Sequence, residues 1–106
     1  MRHLTPSQLA DYLRQTDTPP LLLDVREPWE YQVCHLEGSL LVPMRDIPAV
    51  CSTLDARRET IVICHHGIRS RSVATYLERE GFSNVVNLSG GVAAWAREVD
   101  PQMPVY

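Results

Sequence analysis

Short, unbroken runs of apolar residues, separated by polar segments that contain glycine and proline, dominate the hydrophobic pattern of this chain. Apolar runs without polar alternation are typical of strands that are buried on both faces of a parallel sheet. The pattern predicts strands at residues 21–25, 39–43 and 60–63, and residues 84–88, which include two asparagines, are predicted as a further strand.

Segments with helical spacing fill the intervals between these strands. In residues 6–15, apolar side chains recur at the helical period. Thr5 and Gln8 have the form of a capping box there, with Pro6 at the first helical position. Further helices are predicted at residues 28–33, 47–54, 70–80 and 92–99. Residues 100–104 are predicted to form an irregular segment. Strands that alternate with helices in this way predict an α/β fold with a mainly parallel sheet and helices on both faces.

The length and composition set limits on the classes of function. A chain of 106 residues can bury one core, so we expect residues 1–106 to form a single domain. The formal net charge of -3 gives no general attraction to nucleic acid, and we predict no nucleic-acid partner. Lysine is absent, which excludes Schiff-base and P-loop chemistry that depends on lysine.

Two features predict a cytoplasmic protein without a membrane partner. The first residues lack the apolar core of a signal peptide, and no stretch approaches the length that spans a bilayer. The cysteines are Cys34, Cys51 and Cys64, an odd number that does not make a disulfide framework and suits a reducing compartment.

Cys64 is the strongest candidate for chemistry, because it follows the predicted strand at residues 60–63 and precedes a turn and a helix. Open α/β sheets place ligands at the carboxyl ends of strands, where a helix start offers free N–H groups and a positive dipole end. Both favour the thiolate, which is the nucleophilic form of cysteine. Gly67 permits the turn, and Arg69 and Arg71 add positive charge nearby.

The segment Cys64-His65-His66-Gly67-Ile68-Arg69-Ser70 resembles the active-site loop of the rhodanese family, the thiosulfate and related sulfurtransferases. Residues 24–39 and 88–95 resemble the first and last signatures of that family, in the same order along the chain. The resemblance implies a rhodanese-like domain with a small, mainly parallel sheet of about five strands. It also implies that this one domain carries the catalytic cysteine.

The resemblance further implies a sulfurtransferase that moves a sulfane sulfur through a persulfide on Cys64, without a cofactor. The donor would be thiosulfate or a persulfide, and the acceptor a thiol, cyanide or a protein. The loop around the sulfur would consist of His65, His66, Gly67, Ile68 and Arg69. Its backbone N–H groups would surround the sulfur as in an anion-binding nest.

Four charged residues are expected to bind substrate or to support the loop. Arg69 would close the loop through its guanidinium fork or would face an oxyanion of the substrate. Arg71 would contact the substrate or remain a solvated helix residue. The resemblance implies that Asp24 is a structural hydrogen-bond acceptor near the loop. It also implies that Arg26 belongs to an ion-pair network with Glu30. The alternative is that Arg26 is a solvated residue at the end of a strand.

Cys34 occupies a position where the family usually has glycine, directly before the signature residue His35. It is therefore a candidate second thiol that could receive sulfur. The cysteines and histidines show neither CxxC nor HxxxH spacing, so we predict no metal site.

Three alternatives remain open. Cysteine phosphatases and arsenate reductases separate cysteine and arginine by five residues, whereas four residues separate Cys64 from Arg69 here, which suits a single sulfur better than a phosphate. A persulfide carrier in a protein sulfur relay would use the same cysteine. A binding module without catalysis is disfavoured, because Cys64 is present.

Overall fold

The computed structural model of the chain describes all 106 residues. The strands are β1 (Arg2–Leu4), β2 (Leu21–Asp24), β3 (Leu40–Leu41), β4 (Thr60–Ile63) and β5 (Val85–Leu88). They form one sheet of five strands with the order β1-β5-β4-β2-β3, and every neighbouring pair is parallel. The predicted α/β class and the sheet of about five strands are therefore confirmed.

Both edges of the sheet differ from the prediction made from the hydrophobic pattern. β1 is absent from that prediction, because this strand is only three residues long and begins with the polar Arg2 and His3. The strand predicted at residues 39–43 is reduced to the two residues of β3. β1 therefore lacks the continuous apolar run that identifies a central strand, whereas β3 has such a run but pairs with its single neighbour over only two residues.

The helices are α1 (Pro6–Gln15), α2 (Pro28–Val33), α3 (Ile47–Val50), α4 (Ile68–Arg79) and α5 (Gly91–Glu98). The helix predicted at residues 47–54 is wrong in extent, because a 3-10 turn at Cys51–Thr53 follows α3. α4 begins at Ile68 rather than at residue 70, directly after Gly67. No helix is both long enough and apolar enough to cross a membrane.

Helices cover both faces of the sheet. On one face, α3 and α4 pack over a core that contains Val62, Val73 and Leu77. On the other face, α1 and α5 pack over a core that contains Ile61 and Ile63. β4 is thus buried on both sides at the centre of the sheet, which explains its continuous apolar sequence.

The register of the central strands determines where the candidate site forms. Asp24 at the end of β2 pairs with Ile63 at the end of β4, so the segments that follow both strands leave the sheet at the same edge. Cys64 follows β4 directly. This edge, formed by the carboxyl ends of parallel strands, is where α/β sheets bind ligands.

Candidate active site

Cys64 lies at the carboxyl end of β4, and only 1% of its surface is exposed. The backbone N–H of Gly67 donates a hydrogen bond to Cys64 Sγ over 3.1 Å. Gly67 has a φ of +96°, in the left-handed region that glycine adopts without the strain of a Cβ atom. The N–H groups of His65 through Arg69 are predicted to surround the sulfur, and only that of Gly67 donates a hydrogen bond to it. Gly67 immediately precedes the first residue of α4.

A buried polar pair lies on the inner side of the thiol. Ser70 Oγ accepts a hydrogen bond from Cys64 Sγ over 3.3 Å and donates one to Asn87 Oδ1 over 2.5 Å. Both residues are buried. Neither residue is predicted to belong to the site, although an asparagine inside the strand predicted at residues 84–88 is a signal that a buried polar partner exists.

The start of α5 lies directly behind the Cys64 loop. The N–H of Val92 donates to the carbonyl oxygen of Cys64 over 2.9 Å, and the N–H of Ala93 donates to that of His65 over 3.0 Å. A Cβ atom placed on Gly91 would lie 2.3 Å from the Cys64 carbonyl oxygen. Helix and loop can approach this closely only because Gly91 has no side chain.

Replacing Gly91 by alanine is therefore expected to lower the free energy of unfolding by more than about 2 kcal/mol and to reduce activity. The added methyl group clashes with the loop backbone and also meets a φ of +59°. Gly81→Ala is the matched control, because Gly81 has a φ of +94° but a methyl group added there would meet no atom within 4 Å. Urea unfolding of both variants measures the difference. Equal losses of stability would contradict the close approach of helix and loop.

Arg69 and Glu30 form a bidentate ion pair that ties the Cys64 loop to α2. Arg69 Nη1 and Nη2 donate to Glu30 Oε1 and Oε2 over 2.7 and 2.8 Å. Glu30 is buried, and its hydrogen bonds from Arg69 lower its pKa to about 2, against the opposing effect of burial. Hydrogen bonding to Glu30 in turn raises the pKa of Arg69. Both ends of the guanidinium fork are occupied by this carboxylate.

Arg69→Lys is expected to lower kcat/KM about tenfold, whereas Arg71→Lys should change it less than twofold. A lysine ammonium cannot form two parallel bonds to Glu30. Arg71 is exposed on α4, and its side chain forms no ion pair, so it is the matched control. Steady-state kinetics of both variants provide the comparison. Equal, small losses would argue against a loop-closing role for Arg69.

Arg26 is fully buried beneath the site, with 0% of its surface exposed. Its Nε and Nη2 atoms donate to both carboxylate oxygens of Asp24, and Nη2 also donates to the carbonyl oxygen of Cys34 over 2.7 Å. Burial alone would lower the pKa of Arg26, but its hydrogen bonds to Asp24 and Tyr106 outweigh burial and raise it. The carboxylate partner of Arg26 is thus Asp24 and not Glu30, and a solvated strand end is ruled out.

Tyr106 brings the segment after α5 (residues 99–106, called the tail) back to the site. Its hydroxyl accepts a hydrogen bond from Arg26 Nη1 and donates one to Glu30 Oε2, each over 2.8 Å. Its ring stacks on His65 with 4.1 Å between ring centroids, and meets Trp29 edge-on at 5.4 Å. Burial raises the pKa of Tyr106 to about 12, so the hydroxyl is protonated at neutral pH.

Tyr106→Phe is expected to lower the free energy of unfolding by about 1 to 3 kcal/mol and kcat/KM several-fold. The ring remains able to stack on His65, but Arg26 and Glu30 each lose a hydrogen-bond partner. Tyr12→Phe is the control, since the Tyr12 hydroxyl donates to Glu59, outside the candidate site. This control should lose stability without losing activity. Full activity of Tyr106→Phe would show that the hydrogen bonds of the Tyr106 hydroxyl do not contribute to activity.

The remaining loop residues, and the signature residue His35, differ in how deeply they are buried. His65 is half-buried, and burial, followed by the neighbouring His66, lowers its pKa. His66 and Ile68 are exposed. The ring of His35 stacks on Tyr31, and its Nδ1 atom lies 2.8 Å from the Tyr31 carbonyl oxygen.

Comparison with known proteins identifies the fold and the family. The family model described as Rhodanese-like domain matches residues 5–98. A solved rhodanese-like domain protein from Staphylococcus aureus superposes with a TM-score of 0.85 at 30% identity, over 93% of this chain and 95% of that one.

Curated relatives fall into two groups by length. The thiosulfate sulfurtransferase GlpE of Pseudoalteromonas translucida is 30% identical over 94 residues, which cover 89% of this chain and 88% of GlpE. Rhodanese-like/PpiC domain-containing protein 12, chloroplastic, of Arabidopsis thaliana is 39% identical over 89 residues, and the probable adenylyltransferase/sulfurtransferase MoeZ of Mycobacterium tuberculosis is 33% identical over 105 residues. These matches cover 80% and 97% of this chain but only 30% and 26% of those longer relatives. The family match and these similarities show that the chain belongs to the rhodanese sulfurtransferase family.

Proposed function

We propose that this protein is a sulfurtransferase that moves a sulfane sulfur from thiosulfate or a persulfide donor to a thiophilic acceptor through a persulfide on Cys64. The observation that carries the proposal is the buried Cys64 sulfur at a strand end, hydrogen-bonded by the N–H of Gly67 just before α4. Residues 1–106 would act as one domain. The free thiols of all three cysteines support a reducing compartment such as the cytoplasm.

The reaction requires one nucleophile and two displacements at sulfur. The Cys64 thiolate attacks the outer sulfur of thiosulfate, the sulfur–sulfur bond of the donor breaks, and sulfite leaves with the electron pair. An acceptor nucleophile then attacks the outer sulfur of the persulfide, and the Cys64 thiolate leaves. No general base is needed for the first step, because the leaving group departs as an anion. No cofactor is needed, because no electron is gained or lost overall.

The surroundings of Cys64 support an anionic sulfur at this position. The hydrogen bond from Gly67 directs a backbone dipole at the sulfur. The N-terminus of α4, a helix of 12 residues, adds the positive end of its dipole, which contributes about 0.3–1 kcal/mol and up to about 2 kcal/mol in partly buried sites. Ser70 Oγ lies 3.3 Å from Cys64 Sγ but donates its single proton to Asn87 Oδ1, so the N–H of Gly67 is the donor to the sulfur.

The engagement of Arg69 disfavours the cysteine-phosphatase and arsenate-reductase alternative. Such enzymes need an arginine fork that is free to bind the oxyanion. Here both Nη atoms of Arg69 bond the carboxylate of Glu30 instead. This observation agrees with the loop of four residues between Cys64 and Arg69, which is one residue shorter than the phosphatase pattern.

A persulfide carrier in a protein relay is the second candidate function. Two large apolar side chains are exposed near the site: Ile68 in the loop is 76% exposed, and Trp29, which contacts the ring of Tyr106, is 60% exposed. Exposed apolar residues beside a reactive group are suited to contact a protein partner. The similarity of 97% of this chain to part of the longer probable adenylyltransferase/sulfurtransferase MoeZ is consistent with such a relay.

One preparation of the protein can separate these functions. It is incubated with thiosulfate and then with cyanide or a small thiol, and in parallel with an aryl phosphate. We expect thiocyanate or a new persulfide to form, and mass spectrometry to show one added sulfur atom on Cys64 after the first step. Loading of Cys64 by a protein persulfide but not by thiosulfate would favour the carrier. Faster hydrolysis of the aryl phosphate than transfer of sulfur would overturn the proposal.

A further inference from the structure

A pocket of about 230 Å³ opens beside the Cys64 loop. Its lining includes Cys34, His65, His66, Val92, Arg97 and Tyr106. One wall belongs to the loop itself, one to α5 and one to the tail. His65, the residue that follows Cys64, is among the lining residues, so the pocket borders the loop that carries the nucleophile.

The charged groups around this pocket favour an anion. Arg97 is exposed on α5 and forms no ion pair, and no acidic side chain lines the pocket. Arg26 and Arg69 are engaged by Asp24 and Glu30, and the unpaired Arg71 does not line the pocket. Arg97 is the only arginine that lines the pocket, so its guanidinium is the one placed to meet a ligand there.

We propose that this pocket binds the carboxylate of a small anionic thiol, which is the sulfur acceptor; this proposal rests on the proposed sulfurtransferase function. Arg97 would hold the carboxylate through its guanidinium fork. The apolar side chains of Val92 and Val105 offer a surface for a short aliphatic stem. The volume lies below the range of about 300–1,000 Å³ that is usual for drug-sized ligands, which selects a small acceptor.

The transfer step is balanced without a further reactant. The acceptor thiolate attacks the outer sulfur of the Cys64 persulfide and forms a new sulfur–sulfur bond. The bond between that sulfur and Cys64 Sγ breaks, and the electron pair stays on Cys64 as a thiolate. The acceptor leaves as a persulfide that still carries its carboxylate, so no oxidant or reductant is consumed.

Two thiols that differ only in the group at the far end test the proposal. Transfer from thiosulfate is measured with 3-mercaptopropionate and with 3-mercapto-1-propanol as acceptors. We expect the wild-type kcat/KM to be about threefold to fivefold higher for the carboxylate, in keeping with a solvent-exposed charge pair. Arg97→Gln should raise KM for 3-mercaptopropionate and bring the ratio of the two kcat/KM values close to one. Arg79→Gln, at an exposed and unpaired arginine near the end of α4, should keep the wild-type ratio.

A binding measurement separates failure of the pocket from failure of the reaction. In Cys64→Ser, the unreactive analogue 3-(methylthio)propionate is titrated while the amide resonances of Val92 and Ala93 are followed by NMR. We expect shifts that disappear when Arg97→Gln is added. Equal kcat/KM values for the two thiols, together with no shift of these amide resonances, would overturn the pocket proposal and leave the sulfurtransferase function intact. Shifts without transfer to any acceptor would support the pocket and refute the sulfurtransferase function.

Discussion

Cys64→Ser is expected to lower kcat/KM for sulfur transfer by at least about a thousandfold. A serine hydroxyl remains protonated at neutral pH and cannot hold the transferred sulfur as a persulfide. The substitution is nearly isosteric, and the serine oxygen can still meet the N–H of Gly67 and the hydroxyl of Ser70, so the loop should keep its shape. Transfer from thiosulfate to cyanide measures the loss, and circular dichroism shows whether the fold is retained.

Cys51→Ser is the matched control for this experiment. Cys51 is also buried, but it lies in the 3-10 turn after α3, where its Sγ donates to the Pro48 carbonyl oxygen over 3.7 Å. Its replacement should leave kcat/KM within about twofold of the wild type. Substantial turnover by Cys64→Ser, or an equal loss in both variants, would show that Cys64 is not the group that carries sulfur.

The hydrophobic pattern predicts the central part of the fold, because central parallel strands are buried on both faces and leave an unmistakable apolar run. It identifies β2, β4 and β5, although Asn87 interrupts the apolar run of β5. The pattern fails for β1, whose three residues lie at the sheet edge and are partly polar. It also fails at the start of α4, because the left-handed conformation of Gly67 allows the helix to begin inside the loop.

The sequence also indicates Cys64 and its loop, because a strand, a cysteine, a glycine and an arginine occur within one short segment. The partners of that loop come from distant positions and have no local signature. Glu30 lies 39 residues from Arg69, and Tyr106 lies 76 residues from Glu30. Such pairs depend on how α2 and the tail are packed, which spacing along the chain does not encode. The assignment of these residues to catalysis stays a prediction until the variants are measured.

Glu30 connects most of the groups that hold the site, although sequence analysis treats it only as a partner of Arg26. Its carboxylate accepts hydrogen bonds from Arg69, from Tyr106 and from the backbone N–H of Glu27. The loop, the tail and the start of α2 therefore meet on one buried carboxylate. Removing its charge should disturb all three at once.

Glu30→Gln is expected to lower the free energy of unfolding at pH 7 by about 2 to 3 kcal/mol and kcat/KM by about tenfold or more. The fall of the Glu30 pKa from 4.5 to about 2 corresponds to about 3 kcal/mol of preference for the charged form, and partial exposure of Arg69 reduces this figure. A glutamine keeps the shape but leaves the Arg69 guanidinium without a counter-charge. Asp11→Asn, which breaks an exposed ion pair with Arg14, is the control and should cost less than about 1 kcal/mol.

The pH dependence of the stability of Glu30→Gln tests whether the charge of Glu30 is the cause of this loss. Because the folded-state pKa of Glu30 is depressed, its stabilisation is fully present above the unfolded value of about 4.5 and is lost as the pH falls toward 2. The gap in unfolding free energy between wild type and Glu30→Gln should therefore be constant from pH 7 to about 5 and should lose more than half its size by pH 3. Urea unfolding across this range measures it. A gap that does not change with pH would mean that glutamine disturbs packing, and that the charge of Glu30 does not hold the Cys64 loop through Arg69.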